Sequence, residues 1–145
     1  MNITYTPFTM DLYDHVMNLW KKSEGIGLSG ADSKEGIEKY LERNPGMSLV
    51  ARDLGSVVGS ILCGHDGRRG YIHHLAVSPD YRRQGIGRKL VERSLAALQA
   101  WGIQKCHIFI FNENYGGIAF WERIGWTFRK DISLISKIME VGQNQ

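Results

Sequence analysis

Cysteine is scarce, with Cys63 and Cys106 the only two in 145 residues. Two are too few for a disulfide scaffold. Neither Cys63 with His65 nor Cys106 with His107 has the usual spacing of zinc ligands, so no metal is expected. No apolar run approaches the ~18 residues that a bilayer span needs. The start, MNITYTPFTMDLYDH, lacks the basic and apolar regions of a secretory signal, and a cytoplasmic location is the expectation. Strong charge of one sign is also missing. Net charge is +3 and the pI about 8.9, short of the basic excess of a nucleic-acid binder. Arg68-Arg69 fall in a turn and read as solvated. With 43% hydrophobic and 23% charged residues, disorder is excluded. Repeats, low-complexity tracts and linker-like shifts are absent, so residues 1–145 are expected to form one domain.

Strand and helix patterns alternate along the chain. NITYTPF reads as a strand, and DLYDHVMNLWKK places Leu12, Val16, Leu19 and Trp20 at helical spacing. The glycine-containing loop SEGIGLSGAD follows. Asp32 with Glu35 suggests a capping box for a helix through GIEKYLER. MSLVARD and SVVGSILCG read as a strand pair joined at Leu54-Gly55, and Asp66-Gly67 begins the next turn. YIHHLAV is a further strand. Ile86, Leu90, Val91, Leu95 and Leu98 make one helix face, closed by Gly102. QKCHIFIF is a near-continuous apolar strand. A helix through YGGIAFWERIG and one or two strands through WTFRKDISLISKIM complete a mixed α/β sheet.

The stretch VSPDYRRQGIGRKLVER joins a strand to a helix through two glycines amid arginines. The first amides of a helix have no intrahelical acceptor, and the macrodipole adds partial positive charge. Gly85 and Gly87 carry no Cβ, so a phosphate can approach the backbone, with Arg82, Arg83 and Arg88 adding attraction. A phosphorylated ligand held mainly by backbone N–H groups is expected. The P-loop pattern is absent, and the dinucleotide fingerprint fails at Leu90, where it needs a glycine.

Arg82-Arg83-Gln84-Gly85-Ile86-Gly87 resembles the Gln/Arg-x-x-Gly-x-Gly/Ala signature of the GCN5-related N-acetyltransferase (GNAT) superfamily. Leu75-Ala76-Val77 and Pro79-x-Tyr81-Arg82 stand where that family has its cofactor strand and its exit. NYGGIAFWERIGW, Asn114 to Trp126, is similar to its Asn-x-x-Ala-x-x-x-Tyr-x-x-x-Gly-Phe block. The resemblance implies the GNAT fold, with a mixed sheet of about six to seven strands, a splayed parallel pair, and about four helices on both faces. It implies acetyl-CoA in the gap between YIHHLAV and QKCHIFIF. The pyrophosphate would rest on amides from Arg83 through Gln84, Gly85, Ile86 and Gly87 to Arg88, beside Arg82. Pantetheine would pair with the backbone of Leu75, Ala76 and Val77, and an N–H near Leu75 would polarise the thioester. Asn114 would bond the pantetheine arm, and Gly117, Phe120 and Trp121 would line its thiol end.

The implied reaction is direct attack of a primary amine on the thioester in a ternary complex, without a metal or protein nucleophile. His73 is the expected base and Tyr71 its companion. Both stand where the superfamily keeps proton-handling groups, and strand alternation puts Tyr71, His73, Leu75 and Val77 on one face. His74 should face the other way as a structural residue, and His107 is a candidate second polar group. Two departures stand out: Trp121 occupies the place of a thiolate-protonating tyrosine, and Phe109 that of a glutamate of the ribosomal-protein alanine acetyltransferases. Tyr115 or water could serve as the acid instead. The expected partner is a small-molecule or peptide amine, with no nucleic acid and no membrane, and a homodimer left open. Glu24, Ser29 and Asp32 in the first loop could meet a cationic amine. The alternatives are a CoA-binding sensor that has lost catalysis, and transfer of another acyl group or to another acceptor.

Overall fold

A computed structural model describes residues 1–139. Strand β1 (Ile3–Pro7) leads through a 3-10 turn at Met10–Leu12 into α1 (Tyr13–Lys21), and a second 3-10 turn at Gly30–Asp32 precedes α2 (Lys34–Arg43). Strands β2 (Leu49–Asp53), β3 (Ser56–His65) and β4 (Gly70–Val77) follow, then α3 (Ile86–Ala100), β5 (Cys106–Ile108) and α4 (Tyr115–Arg123). The strands lie side by side in chain order. All neighbours are antiparallel except β4 and β5, which run parallel with α3 as their crossover. The β2–β3 turn has φ of 50° at Leu54 and 91° at Gly55, the paired left-handed residues that tight hairpins favour.

Two apolar layers cover the sheet. Ile61, Cys63, Ile72, Leu90, Leu98 and Trp121 belong to the layer on the α3 side. Val16, Trp20, Ile37, Val50, Leu62 and Ala76 belong to the layer under α1 and α2. Every residue of β3 from Val58 to Gly64 is buried, as a central strand covered on both faces requires.

The α/β architecture is the expected one, but two details differ. Among the described residues the sheet has five strands, not six to seven, and the stretch from Thr127 to Met139 forms none. A strand exists only where a neighbour offers a ladder, and β5 offers three residues. Arg129 instead clamps the nearby Asp131 with two hydrogen bonds of 2.8 and 2.9 Å. The capping of α2 also differs. Ser33, not Asp32, caps it by accepting from the Gly36 N–H at 3.0 Å.

Asp32 closes the preceding turn by accepting from the Ser29 N–H at 3.0 Å. This leaves its other oxygen for His74, at 2.8 Å and buried. The His74 ring rests against Trp20, 4.7 Å between centroids, and the Trp20 indole N–H donates to Ser60 Oγ at 2.9 Å. Tyr13 Oη donates to the Asp32 carbonyl at 2.7 Å. One buried polar network thus ties α1 and the loop before α2 to β3 and β4.

Burial pushes the Asp32 carboxyl up, but the bonds from His74 and the Ser29 amide, with the nearby imidazoles, outweigh it. The net pKa lies below the ordinary 3.8. A carboxyl depressed in the folded state adds stability above its unfolded pKa of about 3.9, and loses it as pH falls through the folded value. Asp32→Ala is expected to cost about 2 kcal/mol at neutral pH by leaving a buried donor unpaired. Urea unfolding checks this, and the gap to wild type should narrow below about pH 4. Equal stability of the two proteins at pH 7 would contradict the assigned role.

Candidate active site

The parallel pair β4–β5 is short. Gly70 pairs with Cys106, Tyr71 with His107 and Ile72 with Ile108, and no pairing continues beyond. From His73 to Val77 the edge of β4 that faces β5 has no strand beside it among the described residues. On the β3 side, Leu62 pairs with His74 and the next residue, Cys63, with Ile72, so His73 is the extra residue of a β-bulge. A bulge kinks its strand and increases local twist, which helps carry β4 away from β5.

The bulge also resets which way side chains point. Ile72 packs in the α3-side layer, Ala76 in the α1–α2 layer, and Leu75 and Val77 against the α3-side layer again. The expected common face of Tyr71, His73, Leu75 and Val77 is therefore split. His73 meets the Tyr40 ring of α2 edge-on at 5.5 Å and lies near-parallel to Tyr71 at 6.4 Å. Its neighbour His74 reaches Trp20 and Asp32 in the same layer, so His73 and His74 do not oppose each other. Tyr40 is absent from the sequence-derived candidates. Nothing in GIEKYLER distinguishes it from an ordinary helix tyrosine.

His73 is exposed, with the Tyr40 and Tyr71 rings beside it and the protein around it reducing its hydration. This desolvation pushes its pKa below 6.5. His74 acts in the same direction and Asp32 against it. His107 pairs with Tyr71 across the ladder, and burial, then Lys105, Arg129 and Arg69, lower it as well. Burial pushes the thiols up, to about 12 for Cys63 and about 11 for Cys106. Neither is a thiolate at neutral pH.

Beyond β4 the chain makes a 3-10 turn at Pro79–Tyr81, then twice adopts left-handed backbone: φ is 62° at Arg83 and 80° at Gly85, the N-cap of α3. The first helical bond is Lys89 N–H to the Gly85 carbonyl, 3.0 Å. Among the described residues the amides of Gly85, Ile86, Gly87 and Arg88 donate to nothing, at the positive end of a 15-residue helix. Ile86 anchors this corner in the core, while Arg82, Arg83, Gln84 and Arg88 are exposed. Arg82 Nε donates to the Val77 carbonyl at 3.3 Å, and Arg88 pairs with Glu92 at 3.2 Å. A Cβ on Gly87 would meet Phe120 Cζ at 3.4 Å and Val77 Cγ2 at 3.6 Å. The loop corner and α4 thus converge on the end of β4.

Asn114 caps α4 by accepting from the Gly117 N–H at 3.0 Å, and its Nδ2 donates to nothing among the described residues. That amide lies against Gly25 of the α1–α2 loop, where a Cβ would collide with it. Trp121 is a core residue, packed edge-on to Trp126 at 4.6 Å and to Phe120 at 5.3 Å. Tyr115 is exposed at the start of α4. The structure therefore brings together the end of β4, the α3 corner, Asn114 and Phe120, with His73 and Tyr71 where the gap opens.

A model of the Acetyltransferase (GNAT) family matches residues 12–126. The acetyltransferase SG1711 of Sodalis glossinidius is 33% identical over 130 residues, spanning 90% of this chain and 91% of that protein. The acetyltransferase plu1384 of Photorhabdus laumondii is 34% identical over 137 residues, spanning 94% and 95%. Among solved structures, the PaiA N-acetyltransferase of Thermoplasma acidophilum in complex with coenzyme A shares the fold, with a TM-score of 0.80 at 16% identity over 99% of this chain and 96% of that one. The NatC complex bound to Gag peptide and CoA gives a TM-score of 0.75 at 25% identity, covering 90% and 87%. No helix among the described residues is long and apolar enough to cross a membrane.

The crowding of His73 has a direct readout. Its ring protons, assigned with a His73→Asn control, should titrate by NMR with a midpoint below 6.5. Tyr40→Leu should leave it low, while Tyr40→Ala, which opens the ring to water, should move it toward 6.5. A wild-type midpoint above 6.5 would contradict the desolvated environment.

Proposed function

The chain belongs to the GNAT family of acetyltransferases, and on that premise we propose that it transfers the acetyl group of acetyl-CoA to a primary amine by direct attack in a ternary complex. One observation carries this reading: the unpaired edge of β4 runs straight into a helix corner with four unused amides. An extended arm bearing amides at one end and a pyrophosphate at the other fits both halves.

The residues present suit acetyl-CoA. The amides from Gly85 to Arg88 would take the pyrophosphate, with Arg82, Arg83 and Gln84 flanking. The left-handed Arg83 and Gly85 shape a concave backbone of the kind that binds anions. The backbone of Leu75, Ala76 and Val77 would pair with the arm, and Asn114 Nδ2 has a donor to spare. Gly117 and Phe120 would border its thiol end, with Trp121 supporting Phe120 from the core. Acetyl-CoA, once bound, supplies an activated acetyl group and a thiolate leaving group.

The chain's own part is positioning and proton handling. A backbone N–H near Leu75 polarises the acetyl carbonyl. An alkylamine with a pKa near ~10 arrives mostly protonated, so a proton must be removed. His73, whose pKa is pushed below 6.5 chiefly by desolvation, accepts it directly or through water, and Tyr71 orders the group beside it. The bulge makes this workable. The amine approaches from the α1–α2 face, where His73 points, and the cofactor enters along the edge toward α3. High-pKa thiols support direct attack over a cysteine intermediate.

Calorimetry with CoA and steady-state kinetics over a panel of amines test this. Gly87→Glu should weaken CoA binding by at least ~100-fold, since a carboxylate would stand against a phosphate. Gly87→Ala should bind nearly as well as wild type, because its Cβ meets Phe120 at ordinary contact distance. His73→Ala should lower kcat by at least ~10²-fold with CoA affinity unchanged, and should remove an acid limb in kcat/KM lying below 6.5. Tight CoA binding with no turnover of any amine would favour a CoA-binding sensor. Unchanged affinity in Gly87→Glu would overturn the cofactor assignment.

A further inference from the structure

Resting on that reading of the site, the acceptor side can be taken further through the register of β4 and β5. Tyr71 pairs with His107 in the parallel ladder, and Gly70 pairs with Cys106 on the opposite face. Arg69 and Lys105 immediately precede the Gly70–Cys106 pair, and both are close enough to act on His107. The Gly70 N–H bonds the Lys105 carbonyl at 2.9 Å, which holds those two positions together. One step above Tyr71 and His107 lie His73 and Phe109, past the end of the ladder. Three rows thus follow one another along the strands: cations, then rings, then the proton acceptor with another ring. Successive rows are about 7 Å apart.

The rings form a continuous surface. Tyr71 lies near-parallel to Phe109, at 6.0 Å and 12°, and to His73 at 6.4 Å and 18°. His107 tilts against Tyr71 at 5.8 Å. Phe109 is 54% exposed, so one end of this row is open to a ligand. A flat apolar body gains contact there that a polyhydroxylated or aliphatic one does not. The charge at the lower end is positive. Lys105, Arg69 and Arg129 all act on His107, and of these Arg129 is matched by Asp131. Neither Lys105 nor Arg69 makes an ion pair within 4.0 Å among the described residues; Asp131 acts on Lys105 from farther off, and Asp66 accepts from the Arg69 amide at 2.8 Å, so positive charge is in excess there but not unopposed. Such an end repels a second ammonium group and attracts an anion.

We propose that the acceptor is a primary amine on an aromatic body that carries a negative charge on the side away from its nitrogen. The amine reaches His73, the ring lies over Tyr71 and Phe109, and the anionic group faces Arg69 and Lys105. Polyamines and aminoglycosides are disfavoured by the same positive end.

Three probes decide this by calorimetry on CoA-loaded protein, without any need for turnover. They are 4-(2-aminoethyl)benzoate, phenethylamine and spermidine. The benzoate is expected to bind about fivefold tighter than phenethylamine at low salt, and spermidine weakest. Arg69→Gln with Lys105→Gln should abolish the advantage of the benzoate and leave phenethylamine and CoA affinities unchanged. Tyr71→Leu should weaken both aromatic probes. Tightest binding by spermidine, a benzoate advantage that survives the double substitution, or no binding of either aromatic probe would each overturn the proposal. If CoA itself does not bind, the acetyl-transfer reading fails separately, and the same probes on the free protein still decide this one.

Discussion

Two parallel strands that pair for three residues and then part are the constraint on which the molecule depends. A strand edge left unpaired inside a fold carries backbone groups that want partners. Here the unpaired edge is built in. His73 adds a residue to β4 and kinks it, while α3 is pressed onto β3 close to where β4 ends. Gly59 permits that approach. A Cβ there would stand 3.2 Å from Ile86 Cγ2 and 3.3 Å from Leu90 Cδ1, tighter than packing allows without a shift. The helix start is thus fixed near the end of β4, with its free amides exposed, while β5 stays behind. An extended ligand can complete the sheet and neutralise the helix end together.

The same departure separates two approaches to one point. The α3 corner and Phe120 meet at the end of β4, and Asn114 caps the helix that carries Phe120. Tyr40, Tyr71 and His73 gather under α2, on the other face. Behind them the Asp32–His74 bond anchors the first loop to β4, and the Trp20–Ser60 bond anchors α1 to β3. That loop also touches the start of α4 and the segment before it, since Gly25 lies on the Asn114 amide and a Cβ at Gly27 would meet Phe111 Cζ at 2.9 Å. A buried polar network therefore sets how the loop lies beside β4 and α4.

Much of the fold was legible in the sequence because its signals are local. The apolar periods marked the four α-helices and five strands, Leu54-Gly55 marked the tight hairpin, and Gly85 with Gly87 marked an exposed helix start. The parts that were not legible depend on partners distant in sequence. A bulge leaves no residue-type signature when the extra residue is a histidine beside another histidine, so strict alternation put His73 with Leu75. Asp32 looked like the cap of α2 because its true partner, His74, is 42 residues away. Tyr40 joins the site only through tertiary packing. One or two final strands were expected through WTFRKDISLISKIM, but β5 is too short a template, and Arg129 with Asp131 forms a local clamp.

The open edge of β4 is the surface proposed to take the cofactor arm. Amide hydrogen exchange with and without CoA, resolved by residue, measures this directly. Protection should rise at residues 73–77 of β4 and at the 85–88 corner of α3, and stay unchanged along β1 and β2, which are already paired. Saturating CoA that leaves both segments unprotected, while protecting some other part of the chain, would contradict it.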